Sequence, residues 1–80
     1  MDRDFLINLE TPDFGAIVRP MSALPGIKLM EMISETNPGR QFSIAVELLR
    51  DELPSEKLSE FDALAMPELM NLVTKWIESY

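Results

Sequence analysis

The chain has no cysteine and no histidine. Without cysteine there is no disulfide framework, no thiolate nucleophile and no zinc-thiolate site. Without histidine the commonest general acid–base and the commonest metal ligand are both missing. Glycine is scarce, at three residues, so a glycine-rich phosphate cradle is excluded. The nearest candidate, Asn37-Pro38-Gly39-Arg40, has one glycine and lacks the Gly-Lys-Ser/Thr ending such a loop needs, so it reads as a turn. No apolar run approaches the ~18 residues of a membrane span. The opening MDRDFLINLE is acidic and alternating, unlike a secretory signal. Positive charge is also in short supply: seven Lys and Arg stand against fourteen Asp and Glu, a formal charge of −7. Phosphate backbones repel such a surface, which argues against nucleic-acid binding. The expectation is a soluble, intracellular protein with no cofactor and no metal.

The fourteen carboxylates are what an enzyme would have to work with. Catalytic carboxylate pairs need one member in an apolar pocket and a partner at fixed distance. Here nearly every Asp and Glu falls on a polar helix face or in a loop, and no Asp-x-Asp-x-Asp-Gly calcium pattern occurs. Phe61-Asp62-Ala63-Leu64 resembles the front of the acyl carrier protein helix. A carrier needs serine directly after that aspartate; Ala63 stands there, so carrier activity is excluded. The expectation is a protein that is not an enzyme. Eighty residues make one domain (1–80), which buries only about 60–65% of its unfolded surface. A hydrophobic share of 46% is too high for a disordered tail, and so small a fold gains from a partner or from self-association.

Hydrophobic periodicity sets out a mostly α fold: a small four-helix bundle-like domain behind a short β-hairpin. Phe5, Ile7 and Leu9 alternate onto one face of a strand at 5–9, and 16–19 returns as its partner. Pro20 ends the second strand, so 1–20 forms the hairpin element and 21–80 the helical part. Three X-Pro steps at Pro25, Pro38 and Pro67 open helices. The helices are expected at about 25–35, 39–52, 56–64 and 67–80, with Asn37 and Ser55 as N-caps. In the second helix Phe42, Ala45, Val46, Leu49 and Leu53 form one stripe, while Ile44 and Leu48 lie on another face. A helix with two apolar faces is central in its domain or partly covered by a partner. In the third, Leu58, Phe61 and Leu64 point inward. The last carries the cleanest stripe: Leu69, Leu72, Val73, Trp76, Ile77 and Tyr80. Because Tyr80 still lies on that stripe, the natural chain is expected to be able to continue past it.

Six methionines are more than a chain this short needs. Flexible thioethers fill irregular gaps in cores, and they also make adaptable binding surfaces. Met30, Met32, Ile44, Leu48, Trp76 and Tyr80 are therefore the candidate partner-binding residues, either for a client or for a homo-oligomer.

The run Ile17-Val18-Arg19-Pro20-Met21-Ser22-Ala23-Leu24-Pro25-Gly26-Ile27-Lys28-Leu29-Met30 resembles the tail assembly chaperones of long-tailed actinobacteriophages. These carry an R-P-L-S-A-L-P type lead-in followed by an apolar helix. Phe61-Asp62-Ala63-Leu64, followed by Glu68-Leu69-Met70-Asn71-Leu72-Val73-Thr74-Lys75-Trp76-Ile77, is similar to a later segment of the same family. The shared motifs are patterns of apolar residues and prolines, not fixed chemistry. The resemblance implies a non-catalytic viral protein acting in tail assembly in the cytoplasm of the bacterial host. Its implied partner is the phage tape measure protein, whose apolar stretches it would keep covered. The family's longer, frameshifted form adds the tail tube protein as a partner through an extension that these 80 residues do not match. The other function the composition allows is a small acidic phage-encoded inhibitor, a DNA mimic directed at a host defence or nucleic-acid-binding complex.

Overall fold

The structure, a computed structural model, describes residues 6–79. Its order is β1 (Ile7–Thr11), β2 (Phe14–Val18), α1 (Gly26–Ser34), α2 (Pro38–Glu52), α3 (Leu58–Asp62) and α4 (Met66–Glu78), with 3-10 turns at Met21–Ala23 and Ser55–Lys57. The fold is mostly helical with a two-stranded antiparallel hairpin.

The hairpin pairs Ile7 with Val18, Leu9 with Ala16 and Thr11 with Phe14. Strand period places Leu9, Phe14, Ala16 and Val18 on the buried face and Ile17 outside. The strands lie nearer the turn than the expected 5–9 and 16–19. Phe14 explains the shift. It continues the Ala16–Val18 face into the core, so the ladder runs up to it and only Pro12-Asp13 remain as the loop. Proline's fixed φ suits the first corner of such a turn. Phe5 lies outside the described residues.

The helix starts obey capping chemistry unevenly. Asn37 caps α2, its Oδ1 accepting from Gly39 N at 2.9 Å and Arg40 N at 3.2 Å, and Pro38 takes the first turn. Pro67 likewise sits in the first turn of α4. Pro25 is the N-cap of α1, not its first helical residue, and supplies no side-chain bond. Ser55 does not cap a helix. Pro54 holds that position, and Ser55 lies inside the 3-10 turn, where its hydroxyl cannot reach forward as an N-cap does. The expected 56–64 helix is therefore split into that turn and the short α3.

One core joins these elements: Leu9, Phe14, Ala16 and Val18 from the hairpin, Met21, Leu24, Leu29 and Met32, then Ala45, Leu49, Leu53, Phe61, Leu72, Val73 and Trp76. Phe14 and Phe61 meet edge to face at 5.9 Å and 60°. The α2 stripe faces this core as expected, with Ala45, Leu49 and Leu53 buried and Phe42 and Val46 half-buried. Leu58 and Leu64 pack on it around buried Phe61. Ile77, expected on the inward stripe of α4, is 38% exposed. Among the described residues no helix is long and apolar enough to cross a membrane.

Candidate protein-docking surface

The RPMSALPG segment is a strap held by α4 and α2. The indole N–H of Trp76 donates to the Arg19 carbonyl at 2.9 Å. Met21 N donates to Ser79 Oγ at 2.9 Å, and Ser79 Oγ in turn donates to the Trp76 carbonyl. The Arg19 guanidinium grips Glu52 in bidentate fashion, at 2.7 and 2.8 Å. That grip raises the Arg19 pKa still further, first through the hydrogen bonds and then through charge. Met21 is buried in this strap. The motif's conspicuous residues thus act inside the fold.

The candidate partner-binding residues divide. Trp76 is fully buried and offers no surface, while Met32 is nearly buried and shows only where it lines a small hollow. Ile44 and Leu48 are half-buried against the core. Met30 stands out at 62% exposure. Tyr80 lies outside the described residues. Met30 and Met32 belong to one helix but opposite environments, because two residues along a helix turn the side chain by about 200°.

Other large apolar residues form the open surface. On α1, Ile27 and Ile33 join Met30 at three-residue spacing, and all three are exposed. On α4, Met66, Met70 and Ile77 are exposed, and spacings of four and seven place them on one flank. A depression of about 310 Å³ between α2 and α4 is lined by Phe42, Ser43, Val46, Glu47, Met66 and Leu69. A smaller one, about 150 Å³, is lined by Met21, Met32, Ile33 and Ile77. So α4 carries an apolar flank with a hollow toward α2 at one end and toward α1 at the other. The sequence held a signal for it: Met66 and Met70 are apolar residues outside the Leu69–Leu72–Val73–Trp76 stripe, which widens the apolar arc of α4 beyond what one core contact uses.

Three carboxylates gather in one place. Asp13, Glu60 and Glu68 line a depression of about 410 Å³ with Ala63, Leu64 and Ala65. Glu68 is pushed above the usual carboxylate range, mainly by sharing a hydrogen bond with Asp13, then by desolvation and charge repulsion. Asp62 is held below it by the bidentate Arg50 bond at 2.7 and 2.9 Å. Asp13 and Glu60 are exposed and Glu68 half-buried. This is an open carboxylate pair, not a carboxyl in an apolar pocket. Among the described residues no charged side chain is buried, and no trio of acidic side chains is placed to hold a metal ion.

Compared with protein-family models, curated proteins and solved structures, the chain matches none.

Proposed function

We propose that this chain is a non-catalytic phage tail assembly chaperone. It binds the tape measure protein in the cytoplasm of the bacterial host and keeps it soluble during tail assembly. Its helices serve as a bundle-like scaffold that presents an apolar surface. One observation carries the reading: an 80-residue chain leaves Ile27, Met30 and Ile33 on α1 and Met66, Met70 and Ile77 on α4 exposed. A domain this small has few apolar residues to spare from its core. Apolar flanks left open at helical spacing are what a protein needs to cover another's hydrophobic stretches. The surplus of negative charge would keep the complex dispersed. The resemblance of Ile17–Met30 and Phe61–Ile77 to tail assembly chaperones supplies the identity of the client.

The test is co-expression with the tape measure protein encoded by the same virus. The expected result is a larger soluble fraction of tape measure, co-purifying with this chain. Equal insolubility with and without it would sink the assignment.

A further inference from the structure

The apolar flank of α4 has a definite length. Met66 to Ile77 spans twelve residues, so the two ends lie about 16 Å apart along the helix at a rise of about 1.5 Å per residue. Its hollow toward α2 is floored by Phe42, Val46 and Leu69, with Glu47 at the rim. Its hollow toward α1 is bounded by Ile33. Three turns of a second helix match that length, and side chains at i, i+3, i+4 and i+7 would seat in the two hollows as ridges seat in grooves. Methionines at two of the three exposed positions let the surface adapt to the side chains that arrive.

Charge decides which helix. Among the described residues Arg19, Arg40, Arg50 and Lys57 are bridged to Glu52, Glu35, Asp62 and Glu60. Lys75 donates to the Glu10 carbonyl. Those four bridges do not use Glu47, which lines the hollow toward α2 and also a neighbouring one where Glu31 and the Glu35-bridged Arg40 stand beside it. Four cations are thus engaged with the protein's own acids, Lys28 lies exposed on α1, and the one charged residue at the rim beside Met66, Glu47, is negative. A second copy would bring the same −7 charge against that rim, whereas lysines and arginines flanking an apolar stripe would complement it.

We propose that the α4 flank, from Met66 to Ile77, binds an amphipathic helix carrying Lys and Arg beside its apolar face. The inference rests on the reading of this chain as a binding protein, but not on the identity of its client.

The test uses the full chain with methyl-labelled methionines and two synthetic peptides of about 18 residues, or five turns. Both carry leucine at helical spacing; one has lysine flanks and the other glutamate. The lysine peptide should shift the Met66 and Met70 methyl signals and bind about tenfold or more tightly than its glutamate twin. A double variant, Met66→Ser with Met70→Ser, keeps the protein's charge, so it separates seating in the flank from general attraction of a cation. It should lose about tenfold in affinity while its far-ultraviolet circular dichroism stays unchanged. Equal affinity for the two peptides, or an unchanged affinity in the double variant, overturns the proposal. So does a dimer in sedimentation that the double variant dissociates, because the occupant would then be a second copy. Peptide binding without rescue of the tape measure leaves this surface standing and removes the client. Rescue without peptide binding does the reverse.

Discussion

At the scale of single residues, Trp76 does two jobs. Its ring is fully enclosed in the core, and its indole N–H satisfies the Arg19 carbonyl where the chain leaves the hairpin. An aromatic with a polar edge suits that position because a buried tryptophan needs a partner for its N–H. Trp76→Phe keeps most of the packing but removes the donor, leaving a carbonyl without its bond and a small void where the larger ring was. The combined cost should be about 2–3 kcal/mol. Urea unfolding followed by far-ultraviolet circular dichroism measures it, since the variant loses the only tryptophan. A loss under about half a kcal/mol would mean that the strap is held by Ser79 and Glu52 without help from the indole.

At the scale of elements, α1 and α2 are built to different standards. Helix α2 has an Asn37 cap, a proline in its first turn and Arg50 in its last, favourable to the helix dipole. Helix α1 has nine residues, no side-chain cap, no acidic residue in its first turn and no basic residue in its last. It also starts on Gly26, the residue with most conformational freedom to lose on folding. Only Leu29 and Met32 of α1 are buried. Its amides should therefore exchange with solvent at lower opening free energy than those of α2 or α4, as native-state hydrogen exchange reports. Gly26→Ala should slow α1 exchange selectively, by about 0.5–1 kcal/mol. No atom would crowd the added methyl, since nothing lies within 4 Å of it.

Why some of this was legible in the sequence, and some not, follows from the same elements. The Asn37–Pro38 start, the α2 stripe and buried Phe61 are local: capping and 3.6-residue periodicity decide them within a few residues. The extent of the hairpin was not local, because it depends on Phe14 meeting Phe61 across the core. The role of the RPMSALPG segment was hidden for a similar reason, since its partners Trp76 and Ser79 lie 57 and 58 residues away. Periodicity gave the apolar arc of α4 but not where the core stops along it. Ile77 and the two methionines are therefore visible as surface only once α2 and α1 are in place.

At the scale of the whole molecule, electrostatics sets how stability follows pH. Two groups act with opposite sign. The folded-state pKa of Glu68 is raised above its ordinary value of 4.5. Its contribution is fully present below that value and is lost as pH rises through the raised pKa, when Glu68 and Asp13 are both charged and repel. Asp62 is lowered below its ordinary value of 3.8 by Arg50. Its contribution is present above that value and is lost as pH falls through the depressed pKa. Between the raised pKa of Glu68 and the depressed pKa of Asp62 lies a window in which Glu68 has taken up its proton while the Asp62–Arg50 bond is intact. The surplus of seven negative charges also shrinks as pH falls into that window, easing self-repulsion. The melting temperature should therefore rise from neutral pH into the mildly acidic range, then fall once Asp62 protonates. Glu68→Gln separates the local cause from the global one. At neutral pH the variant should melt higher than the parent, because Asp13 then faces an amide that can donate to it. The difference should vanish as the parent's Glu68 protonates, while the loss in stronger acid should be unchanged. Added salt should raise the neutral-pH melting temperature of the parent more than that of the variant, since screening acts on the charges the variant has removed. Melting curves that run parallel for the two proteins across the whole range would show that Asp13 and Glu68 do not interact in the folded chain.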